Sequence, residues 1–223
     1  MKFKLATAAA ALALAATPAS AVIVSITLSG GTAFTNGGVG QIIASPASVA
    51  TVGGNNDVFG FNERTSISLS AIRANQRPTA LVAPTFPTPG VRLTDSVTGG
   101  QRVSSHFFIF APGASRTVTG TIVFNQNIIG LQRTAGVIDG AQSTVLRAAG
   151  TAYALAATNG LEAADTFTFV DNKTLQFSLT GTATNKDMFS IITGVPEAPT
   201  WAMLIAGFGL VGLGARRRRA VAA

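Results

Sequence analysis

The 223-residue chain has no cysteine, one histidine (His106), one tryptophan (Trp201) and one tyrosine (Tyr153). Without cysteine there is no disulfide, no thiolate nucleophile and no Cys-ligated zinc or iron–sulfur centre, and a lone imidazole excludes a multi-histidine metal cluster. Charged residues are also scarce, at 11%. What is present is a 47% hydrophobic content, a mean hydropathy of +0.41 and a pI near 11.1. A formal charge of +7 ordinarily points to nucleic acid or an anionic membrane, so the placement of the charges decides.

Much of the excess lies at the two ends. Lys2 and Lys4 precede an apolar stretch from Leu5 to Ala16, which Pro18 ends before the small residues Ala19-Ser20-Ala21. That order is the layout of a secretory signal peptide, with Ala19 and Ala21 at the −3 and −1 positions and cleavage expected after Ala21. The apolar stretch is too short to cross ~30 Å of hydrocarbon as a stable helix. An ordinary buried N-terminal helix would need polar residues at helical spacing, and only Thr7 and Thr17 are available.

The C-terminal end has a short Pro-containing segment, Val195 to Trp201, then the wholly apolar Ala202 to Ala215, then Arg216, Arg217, Arg218 and Arg219. An apolar stretch closed by arginines reads as a stop-transfer element, with Trp201 at the opposite interface. Residues 198–215 are at the short end of what spans a bilayer. Gly207, Gly209, Gly212 and Gly214 weaken the helix while allowing close approach of another one in lipid. The string PEAPTWAMLIAGFGLVGLGARRRR resembles the PEP-CTERM sorting signal of Gram-negative bacteria. Pro196, Glu197, Trp201, Ala202 and the Gly207-Phe208-Gly209 triplet match, with Met203 inside the helix; Ala198 stands where the second proline usually is, and Pro199 follows it. The resemblance implies that an exosortase-type membrane protease recognises the Pro-Glu motif and releases or transfers the ectodomain to the cell surface or exopolysaccharide matrix.

With Lys2, Lys4, the four tail arginines and Glu197 set aside, residues 22–195 keep ten basic and eight acidic residues, a net charge of +2. The basic residues are scattered singly, so no phosphate-tracking patch remains and a nucleic-acid partner is not expected.

In this middle the hydrophobic period is two. Val22-Val24-Ile26-Leu28, Ile67-Leu69-Ala71 and Val118-Gly120-Ile122-Phe124 alternate with Ser and Thr, and Arg102 to Phe110 (RVSSHFFIF) ends apolar on both faces, as a central strand does. The clearest hairpin is Thr166–Val170, Asp171-Asn172-Lys173, Thr174–Thr180, with Phe167, Phe169, Leu175, Phe177 and Leu179 facing inward. Gly- and Asn-rich turns separate the runs, among them Gly30-Gly31, Asn36-Gly37-Gly38, Gly53 to Asp57, Ala111-Pro112-Gly113, Asp139-Gly140 and Asn185-Lys186-Asp187. Only Ala141 to Ala157 has helical character, and Arg73 to Gly100, with its four prolines, reads as a long connection or edge excursion. The expected fold is all-β: an antiparallel β-sandwich ectodomain over residues 22–195, between a signal peptide helix (1–21) and a sorting signal (196–219) with a single transmembrane helix. Three blocks, Asn56 to Glu63, Arg102 to Phe110 and Gly160 to Asp165, are similar to blocks that recur in a set of exported PEP-CTERM proteins.

Catalytic chemistry finds little support. His106 is the sole imidazole base; Ser105 beside it points to the opposite strand face, Ser104 shares its face, and no Gly-x-Ser-x-Gly elbow exists. The competing reading is a strand histidine with satisfied ring nitrogens. Asp57, Asp95, Asp139, Asp171 and Asp187 sit in turn-like contexts, whereas Glu63, Glu162 and Asp165 fit turns less well. Glu162 and Asp165, at i, i+3, are the one candidate pair for a structural calcium, with no Asp-x-Asp-x-Asp-Gly loop behind them; otherwise no cofactor is expected. Thr, Ser, Asn and Gln dominate the outward strand positions, while the aromatic rings of a strong sugar platform are missing.

The expectation is therefore a non-enzymatic exported protein. It meets signal peptidase, then the inner membrane transiently, then an exosortase-type protease, and takes a structural or adhesive role with exopolysaccharide. Two alternatives are an uncleaved, membrane-anchored periplasmic domain and a carbohydrate-active enzyme.

Overall fold

The computed structural model describes residues 20–68, 72–74, 95–97, 102–132, 144–153, 161 and 164–195. The expected signal peptide up to residue 19 and the expected sorting segment, including Pro196, Glu197, Pro199, Trp201, Ala202, Met203, Gly207, Phe208, Gly209 and Arg216 to Arg219, lie outside the described residues, as does Glu162. Residues Ser20–Val195 form one compact unit. Among the described residues no helix is long and apolar enough to cross a membrane.

Alternating apolar and hydroxyl side chains build most of the strands: β1 (Ile23–Gly30), β2 (Gly40–Ile42), β3 (Val58–Ser68), β4 (Ile72–Ala74), β5 (Asp95–Val97), β6 (Arg102–Phe110), β7 (Arg116–Phe124), β8 (Ile128–Gln132), β9 (Thr166–Phe169), β10 (Thr174–Gly181) and β11 (Asp187–Gly194). They form a four-stranded sheet in the order β1-β7-β10-β9, a five-stranded sheet in the order β2-β3-β6-β11-β8, and the small pair β4-β5. Every pairing is antiparallel except β2 with β3, so the five-stranded sheet is mixed rather than wholly antiparallel as expected.

One apolar cluster joins the inner faces of the two large sheets. Ile26, Leu28, Val118, Ile122, Phe124, Phe167, Leu175 and Phe177 come from the four-stranded sheet, and Val58, Phe108, Phe110, Leu131, Phe189 and Ile191 from the other. Phe108 stacks on Phe189 with ring centroids 5.0 Å apart and meets Phe124 edge-on at 6.1 Å. Each such ring, fully buried, contributes about 1.5–3 kcal/mol of transfer free energy.

β6 is the central strand that its two-sided apolar pattern predicts. It lies between β3 and β11, and from Val103 to Phe110 every residue is buried. Its second face is covered by the segments around residues 43–53 and 144–153, whose Val49, Ala148 and Tyr153 pack on Phe61, Phe107, Ile109 and Met188. The β9–β10 hairpin also forms as its sequence predicts, with Phe169 opposite Leu175 and Phe167 opposite Phe177. Asp171 Oδ1 accepts the Lys173 amide proton at 2.6 Å across the turn, and this bond holds the exposed carboxyl below its ordinary pKa.

Several expectations are corrected. The alternation does not run unbroken from Val22: a register shift between Ile23 and Ser25 makes Val24 a bulge residue, so Ile23 is buried and Val24 is 55% exposed. Helical structure is absent from 144–153 apart from a single 3-10 turn, Thr144–Leu146; Gly150, at φ +81, lies in a separate turn and Ala152 bridges to Ser48. The remainder of 141–157 and the Asp139-Gly140 turn lie outside the described residues. A short helix α1 (Gly31–Thr35) instead follows β1 directly, where a Gly-Gly turn was expected. Asp95 and Asp187 open strands rather than sit in turns, because each faces a cross-strand partner in a ladder. Within Arg73 to Gly100, residues at the two ends pair as β4 and β5; the proline-bearing stretch between lies outside the described residues.

Candidate functional site

Two features of the unit bear on function: the solvent face of the four-stranded sheet, and the polar groups buried along β3, β6 and β11.

The inner face of each strand in the four-stranded sheet is apolar, so period-two alternation forces the hydroxyl and amide residues outward. Cross-strand register then arranges them in rows. Thr27, Thr121, Gln176 and Thr168 form one row, and Thr119, Ser178 and Thr166 the next, with Thr117 opposite Thr180 beyond them. Thr27, Thr117, Thr166 and Gln176 are exposed and the others half-buried. None of these residues is charged. Thr32 Oγ1 extends the array from α1, accepting the Thr117 amide proton at 2.9 Å. The outward Thr and Ser residues of β1, β7, β9 and β10 are thus gathered on this sheet, whereas Ser66 and Ser68 of the run around Ile67 lie in β3 of the five-stranded sheet, most of whose outer face is covered.

The buried polar groups divide between the two faces of β6. On the inner face His106 is fully buried. Its Nδ1 lies 2.7 Å from Asn62 Oδ1 and its Nε2 2.8 Å from Thr193 Oγ1, and Phe124 packs on the ring at 4.9 Å. Burial pushes its pKa down to about 3, so at neutral pH it is an uncharged core residue. Ser104, on the same face, accepts the Ser66 amide proton at 3.1 Å. That bond satisfies a bulge in β3, where Ser66 has φ 56. No nucleophile–base contact joins Ser104 to His106, since both are committed to structural partners.

On the opposite face Ser105 donates to Glu63 Oε2, and Ser190 Oγ donates to the same atom at 3.1 Å. The Tyr153 hydroxyl is a third donor to Glu63 and accepts the Ala148 amide proton at 3.1 Å; the Arg147 guanidinium lies 4.9 Å over the Tyr153 ring. Glu63 occupies a β-bulge, since Asn62 pairs with His106 and Arg64 with Ser105, and its carboxyl is sunk although part of the residue reaches the surface. Burial raises its pKa, while the bonds from Ser105, Tyr153 and Ser190 and the charge of Arg147 oppose the rise. Tyr153 is pushed up by its own burial and by the facing Glu63. This cluster went unrecognised in the sequence. Its only signal was a carboxylate two residues after Phe61 in an apolar stretch, and its partners lie some 40 to 130 positions further along the chain.

Asp57 is a third fixed carboxylate. It accepts from the Val39 amide at 2.9 Å, Gln41 Nε2 at 2.6 Å and Asn55 Nδ2 at 2.8 Å, so it ties β2 to the loop before β3 as well as bonding locally. Asp165, one of the two calcium candidates, is buried and accepts the Thr180 amide proton at 2.8 Å. A shallow pocket of about 290 Å³ lies among Thr51 to Gly54, Ala111 to Gly113 and Lys186. There Lys186 Nζ donates to the carbonyls of Ala50 at 2.7 Å and Val52 at 3.3 Å, which spends the cation on holding the loop. Of the sequence-similar blocks, Asn56 to Glu63 and Arg102 to Phe110 pair as neighbouring strands, and their polar residues Asp57, Asn62, Glu63, Ser105 and His106 all serve internal contacts. The chain matches no family model, no curated protein and no solved structure.

Proposed function

We propose that this is an exported, non-catalytic protein whose β-sandwich ectodomain is displayed at the cell surface or in the extracellular matrix. A signal peptide takes it across the inner membrane. The PEP-CTERM-like segment then holds it there transiently, and an exosortase-type protease processes it at Pro196-Glu197. The observation that carries the reading is where the compact unit stops: it runs Ser20–Val195, so it ends at the residue before the sorting motif that begins at Pro196 and starts within two residues of the cleavage expected after Ala21.

The uncharged hydroxyl face of the four-stranded sheet supports a structural or adhesive role with exopolysaccharide. Hydroxyl and amide groups in register offer many neutral hydrogen bonds, each worth little against water, to a partner that is itself hydroxylated. The absence of stacking aromatics from these rows favours weak, multivalent contact over tight binding of one sugar. The burial of His106, Ser105 and Glu63 in structural bonds also favours a non-catalytic reading over a carbohydrate-active enzyme.

Intact-mass analysis of secreted and membrane fractions tests the sorting claim. The expected species begins at Val22 and ends near residue 196 or 197; a protein found only in the membrane and still carrying Arg216 to Arg219 overturns it. That second outcome is the signature of the permanently anchored reading, which Ala198 in place of the second proline favours. Retention on immobilised neutral polysaccharide, reduced by placing Lys at Thr121 and Ser178, tests the matrix contact.

A further inference from the structure

The first and last residues of the folded unit meet the same turn. Asn125, Gln126 and Asn127 link β7 to β8. Asn125 Nδ2 donates to Ser20 O at 2.9 Å, its Oδ1 accepts the Val22 amide proton at 2.8 Å, and its own amide donates to Val22 O at 3.3 Å. The next residue, Ile23, donates its amide proton to Asn62 Oδ1 at 3.2 Å. Between these anchors Ala21 is 0% exposed. At the other end of the unit Gly194 donates to Asn127 O at 2.9 Å and Val195 to Arg102 O at 2.9 Å. The turn is itself held from the β9–β10 hairpin, where the Asn172 carbonyl accepts the Ile128 amide proton at 2.7 Å.

We propose that this turn is a clamp for both ends of the ectodomain, and that the Ala21–Val22 bond is therefore hydrolysed before the domain folds and is sheltered afterwards. The proposal rests on reading residues 1–21 as a signal peptide. A peptidase must hold the residues on both sides of the bond as accessible, extended chain. In the folded unit the residue on one side is buried and the residue on the other has both backbone groups bonded to Asn125. Hydrolysis adds water across the amide, leaving a carboxylate on Ala21 and an amine on Val22. The amine, protonated, keeps its donor to Asn125 Oδ1 as a charge-assisted bond, so the clamp that shelters the uncut bond also docks the new terminus. A precursor that folds before it is cut is consequently trapped with its leader attached.

The test compares full-length chains in detergent, incubated with purified signal peptidase. The chain carrying Phe108→Ala, Phe177→Ala and Phe189→Ala together, which loses three buried core rings and whose unfolding is verified by circular dichroism, serves as the unfolded substrate. The expected result is cleavage after Ala21 in that chain and cleavage slowed by more than about tenfold in the folded native chain, where it must await local opening. Equal rates overturn the proposal; no cleavage at Ala21 in the unfolded chain overturns the leader reading and the proposal with it. In Asn125→Ala the folded chain is expected to regain cleavage. Hydrogen exchange on the native full-length chain is an independent check: slow exchange of the Val22 and Ile23 amides supports the clamp, and exchange at the rate of an open chain refutes it.

Discussion

Ser105 and His106 are neighbours in β6 whose side chains serve opposite faces of the same sheet: the Ser105 hydroxyl donates to Glu63, and the His106 imidazole is closed between Asn62 and Thr193. Two titratable groups of opposite tendency are thereby buried across one strand. Burial raises the pKa of Glu63 above 4.5 and lowers that of His106 from 6.5 to about 3.

The two groups give opposed pH slopes. Between about pH 3 and 6.5 the unfolded chain protonates His106 and the folded chain does not, so stability falls on acidification by about 1.4 kcal/mol per pH unit from this group. Above pH 4.5 the unfolded chain ionises Glu63 before the folded one does, so stability from this group falls as pH rises. In urea denaturation across pH 4–8, Glu63→Gln is expected to make stability climb with pH more steeply than in the native chain, and His106→Gln less steeply. Parallel curves for all three proteins would contradict this assignment.

Asp57 holds three donors, from Val39 just before β2, Gln41 within it and Asn55 in the loop before β3. Asp57→Ala strands those donors and is expected to cost about 2–4 kcal/mol. Hydrogen exchange should speed up first at Gly40 to Ile42, since that strand loses its tie, while β7 and β10 amides stay protected.

Core and surface phenylalanines separate by burial. Phe108→Ala removes a ring that stacks on Phe189 and meets Phe124, and is expected to cost about 3–5 kcal/mol. Phe34, 46% exposed, should lose no more than about 0.5 kcal/mol on substitution by Ser. Thermal or urea midpoints measured side by side check the ranking.

Gly31 and Gly37 share a left-handed backbone, with φ +88 and +80, but differ in surroundings. A Cβ at Gly31 would run into the Thr117 carbonyl, whereas one at Gly37 meets nothing within 4 Å. Gly37→Ala should therefore cost only the conformational strain, about 1–2 kcal/mol, and Gly31→Ala clearly more. Equal losses would mean that α1 shifts freely against β7.

Local sequence carried the features that depend on local chemistry. The β9–β10 hairpin was legible because its alternation and the Asp171 turn lie within sixteen residues (166–181), and β6 because its end, Phe107 to Phe110, is apolar on both faces. What was illegible depends on distant partners. The parallel seat of β2 is set by Asp57 reaching back to Val39 and Gln41. The bulge at Val24 is fixed by pairing with β7. The Glu63 cluster is assembled from Ser105, Tyr153 and Ser190, three strangers in sequence. The candidate site was half legible: outward hydroxyls were evident residue by residue, but that they collect on one sheet follows from the covering of the other by residues 43–53 and 144–153.

The short strand β2 has a further consequence. It occupies one margin of the five-stranded sheet with only three residues, after which the chain continues along β3 without forming a ladder: the Ile43 amide donates to Gly60 O at 2.9 Å and the Ser45 hydroxyl to Asn62 O at 3.2 Å, before Pro46. Carbonyls that would otherwise invite a strand from another molecule are already taken by irregular chain, which offers no regular template in its turn. A domain finished in this way tolerates crowding, because closely packed copies have no incentive at this margin to zip into a continuous sheet.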